Sequence, residues 1–405
     1  MKNAKVNQSL LKNVNRKKIL SLVHKSGEIS RTEVSNILKK NGKTVTNITN
    51  GLIDDGLIVS VGYSDSTGGR KRELFTINPE FGYLIGIHLG VHSLRGIITD
   101  FKYKIIASKV IPITYEESKE SLLLKIKTVI DALVKSKGIN TQKLLGIGFV
   151  ANGLYNIKTG VWIDSSNNLN WKNIPIKDFL KKTFNLPVVL ERNSRSMALW
   201  EMYFGIAQKN KNIIYINLGA GISSVFINNR KIYKGASNNA GEFGHIVVEH
   251  NGYKCTCGKT GCLEAVSSGW AIVKQIKNEI ENGNESEITD LCNNDLNLLD
   301  IDMILTAYNN GDRLVCDIVD KAIKYLGISV ANLIELDNPE LIIFGGEFTK
   351  NGKLFFKKLK STIKKYSTPL PFDDVNIVVS SSDEFAVVLG VITKIRKPYF
   401  VIEEV

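Results

Sequence analysis

Glu242-Phe-Gly-His245 is followed, after nine further residues, by Cys255-Thr-Cys257-Gly-Lys-Thr-Gly-Cys262-Leu-Glu264. Three of the chain's five cysteines fall inside this stretch, and His245 lies ten positions before the first of them. One imidazole and three thiolates make a complete tetrahedral donor set for zinc. Cys255 and Cys257 are too close to pair comfortably as a disulfide. Nothing at the N-terminus reads as a secretory signal, so disulfides are not expected. His245, Cys255, Cys257 and Cys262 fill all four positions, which leaves no place for a reactive water. The spacing therefore predicts a structural zinc, not a catalytic one. Glu242 and Glu264 flank the set. A metal here would hold rigid a turn that carries polar groups, as the wall of a small-ligand pocket does.

Working outward, a chain of 405 residues at 43% hydrophobic content suggests two or three domains with full cores. No apolar run approaches the ~18 residues of a membrane span, so no membrane partner is expected. Cys292 and Cys316 are isolated and read as core thiols, consistent with a reducing cytoplasm. The net charge is +13, and residues 1–78 alone hold 14 Lys+Arg against 6 Asp+Glu. Concentrated positive charge points to a polyanion, because neutralised phosphates release counterions.

The pattern of residues 14–77 is more specific than its charge. Val14, Ile19, Leu20, Leu22 and Val23 predict a first amphipathic helix. Ser30 followed by Glu33 is a capping box for a second helix carrying Val34, Ile37 and Leu38. After the turn Lys40-Asn41-Gly42, a third helix buries Val45, Ile48, Leu52 and Ile53. Its other face is expected to show Lys43, Thr44, Thr46, Asn47, Thr49 and Asn50, short polar groups suited to base edges and phosphates. Gly56 ends it. A strand (Leu57-Ile-Val), a Gly-rich basic tip through Arg70, Lys71 and Arg72, and a returning strand (Leu74 to Ile77) complete a winged helix-turn-helix. The third helix would enter the major groove and the wing would reach phosphates or the minor groove.

Beyond a junction at Pro79–Gly82 the chain alternates strand and helix patterns, which predicts an α/β body. Strand-like runs occur at 83–89, 95–100, 105–111, 145–150, 188–190, 213–218 and 341–344. Helical patterns occur around 117–136 and 175–184. No internal repeat is visible in the residues. Three Gly-rich turns follow strands: Gly86-Ile-His88-Leu-Gly90, Leu218-Gly-Ala-Gly221 and Phe344-Gly-Gly-Glu347. Together they resemble the phosphate and adenosine loops of the sugar-kinase/actin-like fold.

Ala240-Gly-Glu242-Phe-Gly-His245 with the cysteine motif resembles the signature of the ROK family (repressors, open reading frames, kinases). Leu336-Asp-Asn-Pro339 through Gly345-Gly346 resembles its adenosine loop. The wing segment Ser66-Thr-Gly-Gly-Arg-Lys and the segment Gly82 to Val91 are most similar to the xylose repressors of Gram-positive bacteria. The resemblance implies a winged helix-turn-helix at 1–78 and a two-lobed sugar-binding body at 79–405. The lobe boundary is expected near 195, with a C-terminal helix returning to the first lobe. It also implies sugar contacts from Asn168, Asn193, Glu242, His245 and Glu264.

Two positions depart from the kinase members of the family. His88 stands where they carry a metal-associated Asp, and Asn193 stands where they carry the catalytic Asp. An amide cannot accept the sugar hydroxyl's proton, so the phosphoryl-transfer base is missing. Arg192 departs as well. The expected protein is a non-enzymatic, sugar-responsive repressor, with xylose as the first ligand guess. It would bind a two-fold operator DNA as a homodimer or a dimer of dimers. The alternative is a ROK sugar kinase with residual ATP-dependent activity.

Overall fold

The computed structural model describes residues 2–65, 71–114, 116–136, 139–156, 159–165 and 168–400. The chain forms two compact units, Met1–Ser196 with Phe385–Val405, and Met197–Glu384.

The first unit opens with helix α1 (Lys2–Ser26), the two-residue strand β1 (Ile29–Ser30), α2 (Arg31–Leu38) and α3 (Gly42–Asp54). Ser30 Oγ accepts from the Glu33 amide while Glu33 accepts from the Ser30 amide, so the expected capping box is present. Those hydrogen bonds from Ser30 hold the Glu33 carboxyl below its ordinary range. Asn41 caps α3 by accepting from the Lys43 amide. Strands β2 (Ile58–Tyr63) and β3 (Glu73–Ile77) pair antiparallel, and β1 joins β3 to give a sheet ordered β1-β3-β2. Ile19, Leu20, Val34, Val45, Leu52 and Phe75 form the core of this winged helix. Ile37 is 58% exposed, because it lies off the stripe on which Val34 and Leu38 turn inward.

That core is not self-contained. Phe101, fully buried, belongs to it, and Phe81, Leu145, Tyr399 and Phe400 pack against it. The Arg396 guanidinium lies 4.5 Å from the Phe101 ring centroid, 4.2 Å from Tyr103 and 4.4 Å from Phe400. His24 of α1 meets Tyr103 and Phe400. The winged helix is thus cemented to the body by aromatic packing around one cation. Burial, then the Arg396 and Lys102 charges, depress the His24 pKa from 6.5 to about 4. A depressed histidine contributes stability that is lost as pH falls, since the unfolded chain takes up the proton first. Urea midpoints are therefore expected to drop between about pH 6.5 and pH 4, and His24→Phe should flatten that slope.

The body of this unit is a five-stranded sheet ordered β11-β7-β4-β5-β6. β4 (Tyr83–Leu89), β5 (Ser93–Thr99) and β6 (Ile105–Pro112) form an antiparallel meander. After α4 (Lys119–Val134), β7 (Leu144–Ala151) adds parallel to β4. β8 (Leu154–Asn156), β9 (Val161–Ser165) and β10 (Asn168–Ile174) make a separate small sheet. α5 (Ile176–Phe184) leads to β11 (Val188–Arg192), parallel to β7, and α6 (Asn193–Tyr203) leaves this unit.

The second unit repeats the plan. β12 (Ile213–Leu218), β13 (Ile222–Asn228) and β14 (Lys231–Ile232) form the meander. Helices α7 (Leu263–Ser267), α8 (Gly269–Glu281), α9 (Ile288–Leu291), α10 (Ile301–Asn310) and α11 (Arg313–Asp337) follow. β15 (Leu341–Gly345) adds parallel to β12, and after α12 (Lys353–Tyr366) and α13 (Pro369–Asp374), β16 (Asn376–Val379) adds parallel to β15. Both five-stranded sheets therefore run third-second-first-fourth-fifth in order of appearance.

The last helix, α14 (Ala386–Arg396), belongs to the first unit. A Cβ on Gly86 would come within 2.4 Å of Val388, and one on Gly148 within 2.9 Å of Val391. These two glycines let α14 lie flat on β4 and β7, an approach any side chain there would block.

Candidate functional site

In the second unit the segment from 242 to 264 folds back on itself through single bridges between Val247 and Cys262 and between Lys254 and Thr260. Gly261 adopts φ +76°, and a Cβ there would lie 1.8 Å from the Glu249 carbonyl. Only glycine fits, so this turn depends on backbone geometry no other residue supplies. His245, Cys255, Cys257 and Cys262 offer ligand atoms that all lie within 4.8 Å of one another. His245 Nδ1 is 3.7 Å from Cys255 Sγ, and the Cys257 and Cys262 sulfurs are 3.7 Å apart. Sulfurs at about 2.3 Å from one tetrahedral ion would stand about 3.8 Å apart, so the donor set fits a metal of zinc's size. Burial pushes the Cys262 thiol up to about 12, so without a cation this sulfur stays protonated. Cys292 is buried and Cys316 half-buried, away from the cluster.

The cluster organises polar groups around it. With Nδ1 beside Cys255, the His245 Nε2 faces the Glu242 carboxylate at 4.0 Å. Cys262 is the N-cap residue of α7, whose first turn carries Glu264. Glu264 Oε2 accepts from the Ile222 amide at 2.9 Å, and its Cβ lies 3.2 Å from where a Gly244 Cβ would stand. Glu242, His245 and Glu264 are thus brought together by the segment that carries the three cysteines. Glu249 ties the same loop to α11, accepting from Tyr325 Oη at 3.0 Å and pairing with Lys321 at 3.1 Å.

In the first unit, Asn193 opens α6 directly after β11, and its buried Oδ1 has no partner among the described residues. Burial raises the Glu191 carboxyl, but the Lys394 ammonium at 2.6 Å and the Arg192 amide outweigh it and leave it ionised below its ordinary range. His88 is buried on β4 with neither ring nitrogen hydrogen-bonded among the described residues. Burial, then the Arg95 charge, lower its pKa to about 3, so it is neutral. Asn168 begins β10, and its side chain lies outside the described residues.

On α3, Lys43, Thr46, Asn47 and Asn50 are exposed at spacings of three and four, which makes one solvent-facing stripe. Thr44 is also exposed but sits beside a notch with Asn15, Lys18 and Lys40. Thr49, expected on this face, is instead buried, where it donates to the Thr46 carbonyl and accepts from Arg31 Nε. Lys71 and Arg72 of the wing are exposed, and Arg72 closes the hairpin on Ser64. Arg70 lies outside the described residues. Sequence reasoning missed Arg31, whose partners are all distant along the chain.

A family model described as ROK family matches residues 84–397. The xylose repressor of Caldicellulosiruptor bescii is 33% identical over 389 residues, covering 96% of this chain and 97% of that one. Among solved structures, a ROK family transcriptional regulator described as a homologue of the Escherichia coli MLC protein superposes with a TM-score of 0.81. It is 25% identical, with 96% of each chain covered. A ROK family glucokinase from Streptomyces griseus, in complex with glucose and AMPPNP, matches with a TM-score of 0.65 at 24% identity, covering 78% of this chain and all of that one. That likeness concerns the fold alone. No described helix is long and apolar enough to cross a membrane.

Proposed function

The chain belongs to the ROK family, and from that premise we propose that it is a sugar-responsive transcriptional repressor that does not phosphorylate its sugar. The observation that carries the reading is Asn193, an amide at the position where the kinase members of the family hold the base. Neutral His88 supports it, since it offers no carboxylate to a metal–phosphate group. The Glu347 carboxylate stands 3.5 Å from the position of a Gly219 Cβ, placing negative charge beside the Gly-rich turn where a phosphate would sit.

DNA is bound by the winged helix of residues 1–78, with Lys43, Thr46, Asn47 and Asn50 in the major groove and Thr44 at its edge. The wing cations Arg70, Lys71 and Arg72 reach phosphates or the minor groove. Zinc is held by His245, Cys255, Cys257 and Cys262, and when bound it fixes the turn that bears the effector residues. Glu242 and Glu264 accept from sugar hydroxyls and His245 Nε2 meets another, while Asn168 and Asn193 are further proposed sugar contacts by likeness to the family. Xylose is the proposed effector, by likeness to the repressors. Two such chains on a two-fold operator would have their spacing set by effector binding, which requires only that two states of the protein differ in sugar affinity.

The test uses the full chain and DNA duplexes enriched from a random pool. Affinity is expected to fall about a thousandfold between 50 and 200 mM salt, and xylose should change it at constant salt. Insensitivity to every pentose, hexose and amino sugar would reduce the protein to a constitutive DNA binder.

A further inference from the structure

Arg31 is the first residue of α2, yet its guanidinium is committed elsewhere in the winged helix. Nη1 donates to Glu73 Oε2 at 2.6 Å, Nε to Thr49 Oγ1 at 2.9 Å and Nη2 to Asn50 Oδ1 at 2.9 Å. The guanidinium also lies 4.3 Å from the Phe75 ring centroid. One side chain thereby joins α3 to the strand that leaves the wing.

The contact with Asn50 has a chemical consequence. A guanidinium has donors and no acceptor, so the Asn50 atom facing Nη2 must be the amide oxygen and not the nitrogen. Nη2 takes one of the two lone pairs of Oδ1 and fixes the amide's orientation, which leaves the two N–H donors as the uncommitted end of Asn50. The bidentate asparagine–adenine pairing needs Oδ1 and Nδ2 side by side on the base edge, an alignment that a guanidinium holding Oδ1 restrains. Donors alone suit edges that present acceptors, namely guanine O6 and N7 or thymine O4.

We propose that Arg31 is a positioning residue that sets the base preference of α3 by holding Oδ1 of Asn50 to its own guanidinium, so that the base pair under Asn50 is read chiefly by the N–H donors at an acceptor-presenting guanine or thymine and less through bidentate adenine. This rests on the DNA-binding reading above. Glu73 completes the device. It neutralises the guanidinium, so Arg31 itself adds little to phosphate binding.

The test is selection of randomised duplexes by the full-length protein and its variants, with the salt dependence of each measured on its best duplex. The wild type is expected to enrich guanine or thymine about tenfold at one position, which Asn50→Ala loses while other positions stay unchanged. Asn50→Asp keeps an acceptor for Arg31 but has no donor, so it should lose the same preference with little effect on folding. Arg31→Met should move that position toward adenine or to no preference, with an unchanged salt slope. Arg31→Lys, whose compact ammonium lacks the planar fork that spans Glu73, Thr49 and Asn50, should fall between. Enrichment of adenine by the wild type at the Asn50-dependent position would overturn the proposal. So would an Arg31→Met protein with an unaltered preference, or one whose salt slope falls by about 0.9, the mark of a lost phosphate contact. Failure to enrich any duplex would instead sink the DNA-binding reading itself.

Discussion

Replacing Cys257 by Ser is expected to strip the metal and lower the thermal midpoint by about 10 °C or more, although Cys257 is exposed. As a packing change, serine for an exposed cysteine should shift stability by less than about 0.5 kcal/mol. A large effect therefore isolates metal ligation from core volume. Cys262→Ser should be worse still, because Cys262 is fully buried and caps the helix that carries Glu264. Elemental analysis of the wild type should find about one zinc per chain. Cys262 must give up its proton to bind, and burial holds that thiol near 12 without a cation. Metal binding thus releases protons, so chelators should remove it faster at pH 6 than at pH 8. Full metal occupancy in a triple Cys→Ser variant would overturn the centre.

The second large effect concerns the effector. Glu264→Gln and Glu242→Gln are each expected to weaken xylose binding on the order of 10–100-fold while leaving DNA affinity intact, because a hydroxyl donor loses a charged acceptor. Glu264 should show the larger loss, since its carboxylate is held in place by the Ile222 amide. In a coupled assay no sugar should be phosphorylated at a steady rate. General-base catalysis is worth about 10²–10⁴-fold, and Asn193 provides none. Asn193→Asp should restore little, because neutral His88 remains at the metal–phosphate end. Steady turnover with any sugar would favour the kinase alternative. Absence of heat with every sugar in calorimetry would mark the pocket as vestigial.

Much of this protein was legible along the chain because its signals are local. The capping box at Ser30 and Glu33 depends on residues three apart, and the structure forms it as expected. The strand at 83–89 and the one at 213–218 occupy the ranges their apolar runs predict. The spacing of His245 and the cysteines picked out four side chains that the fold does gather. Local reasoning failed at Thr49, which shares helical spacing with the outward stripe. A partner 18 positions away, Arg31, gives its hydroxyl a buried acceptor role, so polarity did not imply exposure.

Some features had no local signal at all. The two sheets share one strand order while their residues show no repeat, because β-sheet topology requires only apolar strands in sequence and tolerates any packing-compatible side chains. Phe101 and Phe400 carry no local signal of their role, yet they complete the core and packing of the winged helix across more than 20 and 300 residues respectively. The sequence by itself determined the His/Cys cluster, the caps and the strand–helix alternation, since each follows from chemistry within one turn or loop. Only the tertiary structure decided which Asn50 atom faces Arg31, which groups surround Arg396 and that His245 turns Nδ1 to sulfur and Nε2 to Glu242. Those outcomes depend on side chains meeting from distant segments, where direction in space, not spacing along the chain, selects the partner.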